Sequence, residues 1–371
     1  MRIGILTSSR ADFGIYLPLL KVMGNDDYFE LKIIAFGTHL SGFYGETIKN
    51  IEESGFDVAY KIESMLLTDS ANAIASSLGL TSLKFADFWN NYQSEFDLVF
   101  CLGDRYEMFA AVIASIPFQI KLAHLHGGET TLGAIDNIFR HGITLASTYH
   151  FVATPEYAAR VAELRGSDID IFHVGALSLD NLDELSLLTP NQFEEKWGID
   201  LTRRTILTTF HPETVAVNKN RLYISELIGA INELKDYQVL ITMPNADTLG
   251  NMIRQKLIDN FANSKHVFLI ENLGSQSYFT ALNYCSFLIG NTSSGIIEAA
   301  SFGKYVINLG NRQKGRISGK NVLETEISKE NIVRAVRTVE ESETLTTENI
   351  YYNGGAAHSI AEIIKRLEFK R

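Results

Sequence analysis

Short apolar runs rich in β-branched residues alternate with amphipathic segments along most of this chain, and that alternation restricts the fold more than any other feature. Strands are predicted at Ile3–Leu6, Leu31–Phe36, Leu98–Leu102, Lys121–His124 and His150–Ala153. Helices are predicted between them, at Leu17–Met23, Glu46–Ser54, Ser70–Leu78, Tyr106–Ser115 and Ile135–Ser147. Short strands separated by helices form parallel βαβ units in a doubly wound α/β sheet. The rhythm breaks near Gly175, where residues 176–204 are mixed, polar and helix-prone. It restarts with strands at Ile206–Phe210, Gln238–Thr242, Val267–Ile270, Phe287–Ile289 and Tyr305–Asn308. The intervening helices are Leu222–Leu234, Leu249–Phe261, Ser277–Tyr284 and Gly295–Ser301. The break puts a boundary within 175–185, with one Rossmann-like domain over 1–178 and a second over 179–355. A chain of 371 residues is long enough for two cores. A last amphipathic segment, Ala356–Phe369 within 356–371, is free to dock on either domain.

The formal net charge of −11 disfavours nucleic acid and anionic lipid as partners. Any phosphate must be held locally, by a few arginines, backbone amides and helix N-termini. The two cysteines, Cys101 and Cys285, lie in apolar runs and read as core thiols, too few for a disulfide framework or a zinc site. No apolar run approaches the roughly 20 residues that span a bilayer, so a soluble, cytoplasmic protein is expected.

Polar motifs fall where strands end and helices begin, the usual place for chemistry in an open α/β sheet. Ser8-Ser9-Arg10-Ala11-Asp12-Phe13-Gly14 follows the first strand. It is either an anion loop with Arg10 as a charge fork or an ordinary turn with Asp12 as helix N-cap. Gly103-Asp104-Arg105-Tyr106-Glu107 follows another strand, and offers either a proton-transfer group with a substrate clamp or an N-cap with a surface arginine. Residues 124–141 pack His124, His126, Glu129, Asp136, Arg140 and His141 around the Gly127-Gly128 turn. Asp136 and Arg140 have the i,i+4 spacing of an ion pair, which would orient Asp136 or simply stabilise the helix. His124 and His126 would point the same way along a strand. A metal is the least favoured of their roles, behind a structural bond or a bond to substrate.

In the second half, Thr208-Thr209-Phe210-His211-Pro212-Glu213-Thr214 ends a strand and places His211 as a cross-cleft acid. Gly290-Asn291-Thr292-Ser293-Ser294-Gly295-Ile296-Ile297-Glu298 opens a helix on a glycine- and hydroxyl-rich turn, suited to phosphate, with Glu298 able to accept from ribose hydroxyls. It is not a P-loop, and no G-x-G-x-x-G follows the first strand, so a nicotinamide dinucleotide is not expected. Arg312, Lys314 and Arg316 add positive charge, or form a solvated basic loop.

These motifs, in this order, resemble the hydrolysing UDP-N-acetylglucosamine 2-epimerases of sialic-acid biosynthesis over nearly the whole chain. The resemblance implies a GT-B architecture, with two Rossmann-like domains flanking a cleft and a final helix returning to the first. It implies cleavage of UDP-GlcNAc to N-acetylmannosamine and UDP, with neither metal nor cofactor. Non-hydrolysing cousins usually carry a His-Val-Glu-Ala-Gly-like segment where this chain has His-Leu-His-Gly-Gly-Glu. By the same resemblance, Asp104, Glu129 and Asp136 are the proton-transfer set, and His211 serves the leaving phosphate. Arg10, Arg105, Ser293 and Ser294 hold the diphosphate and Glu298 the ribose. His126, Arg140, Asn291 and Arg312 complete the substrate contacts. UDP-N,N′-diacetylbacillosamine is an alternative substrate for the same chemistry; a GT-B glycosyltransferase and a non-catalytic sugar-nucleotide sensor are alternatives of other classes. A homo-oligomer, dimer or tetramer, is expected from relatives.

Overall fold

The computed structural model describes residues 1–244 and 248–367; the end of the predicted last helix, 368–371, lies outside them. The chain divides into two compact units. The first comprises Met1–Glu129, Asp136–Asp183 and the chain from Tyr351 onward; the second comprises Thr130–Ile135 and Glu184–Ile350.

The first unit alternates β1 (Arg2–Thr7), α1 (Arg10–Gly24), β2 (Glu30–Phe36), α2 (Ile48–Glu53), β3 (Val58–Ile62), α3 (Ala71–Tyr92), β4 (Leu98–Leu102), α4 (Tyr106–Ser115), β5 (Leu122–Leu125), α5 (Asp136–Ala146), β6 (Tyr149–Val152), α6 (Pro155–Arg165) and β7 (Ile171–His173). Its seven strands run in the order β3-β2-β1-β4-β5-β6-β7 and pair in parallel. The strand period of two sends β1 side chains to both faces. Ile3 and Ile5 pack with Leu19, Leu20, Ile360 and Ile364 on one side. Leu6 packs with Phe85, Trp89, Met108 and Val112 on the other.

A short helix, α7 (Asn181–Glu184), ends the first unit's middle stretch; in the second unit α8 (Pro190–Trp197) leads into β8 (Thr205–Thr209), α9 (Asn220–Glu233), β9 (Gln238–Thr242), α10 (Gly250–Phe261), β10 (Val267–Ile270), α11 (Gly274–Tyr284), β11 (Phe287–Gly290), α12 (Ser293–Ile297), β12 (Val306–Leu309), β13 (Val322–Thr325) and α13 (Lys329–Glu340). The sheet order is β10-β9-β8-β11-β12-β13, again parallel. In each sheet the strand order reverses beside the first strand, at β1/β4 and at β8/β11. Such a switch point splays two loops apart and leaves room for a ligand at the carboxyl edge.

α14 (Ala356–Arg366) packs on α1 in the first unit. Asp180 accepts from the amides of Ala356 (3.0 Å) and Ala357 (2.6 Å), satisfying two otherwise unpaired donors at its start. Buried Ile360 and Ile364 contribute roughly 1.5–3 kcal/mol each.

Several expectations are corrected. β3, β7 and β13, three of the four edge strands, were not predicted, being short or mixed in polarity, whereas the fourth, apolar β10, was. α1 begins at Arg10 rather than Leu17. Its N-cap is Ser9, and Asp12 sits at the third helical position in a capping box. α3 runs 22 residues instead of stopping at Leu78. The helix predicted at Gly295–Ser301 is a five-residue α-helix from Ser293 followed by a 3₁₀ turn, Ala299–Phe302. Residues 130–135, read as part of the first domain, pack within the second unit. There the Leu132 amide donates to the Lys314 carbonyl (2.9 Å) and the Ile135 amide to Thr214 Oγ1 (2.8 Å). A Cβ on Gly133 would overlap the Asn311 carbonyl, so only glycine allows this approach. Both cysteines are buried, and burial pushes each thiol up to about 12. Among the described residues no helix is long and apolar enough to cross a membrane.

Candidate active site

In the first unit, the loops after β1, β4 and β5 carry the polar groups. After β1, the Asp12 carboxylate accepts from the Ser8 amide (2.9 Å), Ser8 Oγ (2.6 Å), the Ser9 amide (3.1 Å) and Ser9 Oγ (2.7 Å). This buried knot fixes the loop and places half-buried Arg10 at the first position of α1. Under it, His39 is held between Thr7 Oγ1 and Thr47 Oγ1, each at 2.9 Å.

After β4, Asp104 and Arg105 diverge. The Asp104 carboxylate, about a quarter exposed, pairs with the guanidinium of buried Arg140. Arg140 also donates through Nη1 to the Glu129 carbonyl at 3.0 Å. One arginine on α5 therefore ties the β4 loop to the β5 loop. Asp136 is the first, half-buried residue of α5. Arg105 turns the other way. Its Nε and Nη2 reach Glu107 at 3.2 and 2.9 Å, and the Glu107 side chain is only 1% exposed. Burial pushes the Glu107 carboxyl up, and the Arg105 charge opposes this. Glu107 was quoted within its motif but given no role; its two-residue spacing from Arg105 across the start of α4 was the available signal.

The two histidines of the β5 segment do not act together. His124, in the strand, lies against the Gly103 carbonyl through Nε2 (2.9 Å) and Thr144 Oγ1 through Nδ1 (3.2 Å). A carbonyl only accepts, so Nε2 carries the proton. Burial pushes His124 down to about 4, and Arg140 adds to the effect, so it is neutral at pH 7. It has a structural role. His126 lies past the strand and approaches Glu129 Oε1 through Nδ1 at 2.8 Å. Among the described residues no group of three or more His, Cys, Asp or Glu side chains is arranged to hold a metal ion.

In the second unit, β8 and β11 are stitched beyond their ends. The His211 amide donates to Asn291 Oδ1 (2.7 Å), and Asn291 Nδ2 donates to the His211 carbonyl (2.8 Å). Asn291 is fully buried, and its side-chain amide positions the His211 main chain. The Asn311 amide donates to Glu213 Oε1 (2.5 Å), and Gln313 Nε2 donates to the Asn291 carbonyl (2.8 Å). Glu213 and Gln313, neither assigned from the sequence, thus shape the loop that carries half-buried Arg312. Arg316 is buried too, against the solvated-loop alternative. Ser293 and Ser294 open α12 behind the Thr292 cap, and Glu298 closes it, 8% exposed.

Two parallel α/β units, each with its charged and hydroxyl-bearing loops at the switch point of its sheet, define an enzyme fold of the GT-B class. A family model described as UDP-N-acetylglucosamine 2-epimerase matches residues 21–365. The chain is 34% identical to the polysialic acid biosynthesis protein P7 of Escherichia coli, over 97% of this chain and 92% of that one. It is 34% identical to the hydrolysing GDP/UDP-N,N′-diacetylbacillosamine 2-epimerase of Campylobacter jejuni, over 88% of this chain and 85% of that one. The UDP-GlcNAc 2-epimerase structure from Neisseria meningitidis superposes with a TM-score of 0.82 at 17% identity, covering 99% of this chain and all of that one. The chain belongs to the UDP-N-acetylglucosamine 2-epimerase family.

Proposed function

We propose that this protein is a hydrolysing 2-epimerase that converts UDP-GlcNAc to N-acetylmannosamine and UDP, supplying nonulosonic acid biosynthesis. The C2 proton is removed as the C1–O bond breaks and UDP departs, leaving a 2-acetamidoglucal. Water then adds at C1 and a proton returns to C2 from the opposite face, which inverts that carbon. Two such steps need proton-transfer groups on both faces of the sugar, with environments that set them apart. The observation that carries this reading is the linkage of Asp104 through Arg140 to the Glu129 backbone. It joins Asp104 to the loop that carries the His126–Glu129 pair through one arginine. By the resemblance, Arg10, Arg105, Ser293, Ser294 and His211 are assigned to the diphosphate, Glu298 to the ribose and Arg312 to the sugar.

The test is an NMR time course with UDP-GlcNAc in deuterated water. Free UDP and N-acetylmannosamine deuterated at C2 are expected. Epimerised sugar still linked to UDP would place the protein among the non-hydrolysing enzymes. UDP-N,N′-diacetylbacillosamine is the second reading, supported by the name of the C. jejuni relative; turnover of that sugar in preference to UDP-GlcNAc would establish it.

A further inference from the structure

The His126–Glu129 contact has a geometry that separates the roles of its two members. His126 has φ +63°, a left-handed conformation that a non-glycine residue keeps only when its surroundings impose it. The surroundings are present. The His126 amide donates to the Phe151 carbonyl on β6 at 3.1 Å. A Cβ on Gly127 would press on the His124 ring at 3.0 Å, and one on Gly128, where φ is +79°, would meet the Tyr157 carbonyl of α6 at 2.5 Å. The turn is clamped between β5, β6 and α6, and it returns the Glu129 carboxylate to Nδ1 of His126 at 2.8 Å.

An ionised carboxylate can only accept, so Nδ1 carries the proton and the lone pair of the neutral ring lies on Nε2. Nε2 makes no hydrogen bond within the described residues. The Glu129 side chain is 3% exposed and has Oε1 committed to the ring, whereas the His126 side chain is 10% exposed. The imidazole stands in front and the carboxylate behind it, the order in which a buried acid fixes the tautomer of a general base and balances the imidazolium that forms.

We infer that His126, through Nε2, is the group that exchanges a proton with the sugar on one face, and that Glu129 is its positioning residue. The inference rests on the hydrolysing-epimerase reading. In the elimination the C2–H electron pair becomes the C1–C2 double bond, and the C1–O pair leaves with UDP. In the hydration water oxygen bonds to C1, and C2 takes a proton from the other face. Nε2 takes up the proton in one half or, as imidazolium, releases it in the other. Of the charged and titratable groups nearby, Glu129 on the same loop meets the ring directly and His124 on β5 senses its charge, while Arg140 on α5 reaches the Glu129 carbonyl and pairs with Asp104.

The experiment measures kcat, KM and the pH profile of kcat/KM for wild type, His126→Asn and Glu129→Gln on UDP-GlcNAc and UDP-N,N′-diacetylbacillosamine, with UDP binding by calorimetry as the control for folding. H126N is expected to lose about 100-fold or more in kcat with KM changed less than about threefold. E129Q is expected to lose less. It keeps the acidic limb of the profile but moves it to lower pH, because the imidazolium loses its compensating charge. The opposite pattern, with E129Q inert and H126N close to wild type, would make Glu129 the proton-transfer group and overturn the inference. If H126N does not bind UDP, His126→Gln takes its place; if neither does, the E129Q profile decides alone, a shifted limb supporting the inference and a lost one ending it. A wild type inert on both sugars removes the functional reading, and this inference with it. A wild type that turns over either sugar leaves only the division of roles under test.

Discussion

Arg140→Met is the most informative single perturbation. It keeps an unbranched apolar stem, removes the guanidinium and takes a donor from two groups. The Glu129 carbonyl loses a charged hydrogen bond of 3.0 Å, worth about 1.5–3 kcal/mol. The Asp104 carboxylate loses its cation. A fully buried pair broken on one side costs about 3–5 kcal/mol, but Asp104 is 26% exposed and water recovers part of that, so about 1–2 kcal/mol is expected for the pair. The whole substitution should cost about 3–4 kcal/mol. The cycle of R140M, Asp104→Asn and the double variant should return a coupling of about 1–2 kcal/mol. Trp89 lies in the first unit and Trp197 in the second, and these are the chain's two tryptophans. Urea unfolding followed by fluorescence in a Trp197→Phe background therefore reports the first unit alone. A coupling below about 0.5 kcal/mol would refute the argument that Arg140 holds Asp104 in place.

Removing the carboxylate that starts α14, by Asp180→Ala, should cost about 1–2 kcal/mol, read as an earlier urea midpoint for Trp89; an unchanged midpoint would show that the helix start is satisfied without it. Asn291→Ala deletes both bonds to the His211 main chain and should cost about 2–3 kcal/mol, measured through Trp197 in a Trp89→Phe background. Acid should destabilise the first unit well before its carboxylates protonate. Burial lowers His39 and His124 to about 4 and His150 to about 3. Groups depressed in the folded state stabilise it above their unfolded value near 6.5, and that stabilisation is lost as pH falls toward the folded values. Each group contributes up to about 1.4 kcal/mol per pH unit in that window. Thermal melts from pH 7.5 to 5 should show a steep fall in Tm, flattened in His150→Leu; a flat wild-type profile would contradict the buried neutral state.

The central strands were readable because they are buried on both faces. β4 and β8 are continuous apolar or threonine runs, β9 is one after its first residue, Gln238, and every residue of all three is covered. Edge strand β3, Val-Ala-Tyr-Lys-Ile, alternates half-buried and exposed positions and hides among loop sequence. The start of α1 was missed because its apolar stripe begins later than its cap: Ser9 and Asp12 mark the end by hydrogen bonding, without hydrophobic periodicity. The site was legible as a set of loops, since glycine and charged residues after apolar runs mark strand ends in any doubly wound sheet. Its pairings were not. Arg140 meets Asp104 because β4 and β5 are neighbours, and Asn291 meets His211 because β11 lies beside β8. Both are facts of strand order, which local spacing does not encode.

The placement of α14 bears on how the protein is made. The second unit has all its residues once Ile350 is synthesised, whereas the first needs the chain from Tyr351 onward. At roughly 5–20 residues per second, translation of 184–350 leaves the first sheet waiting on the order of ten to thirty seconds with one side of α1 uncovered. The usual order of vectorial folding is thereby reversed: the N-terminal unit is begun first and finished last. During that interval the apolar surface around Leu19 and Leu20 lacks Ile360 and Ile364, the residues that complete its cluster.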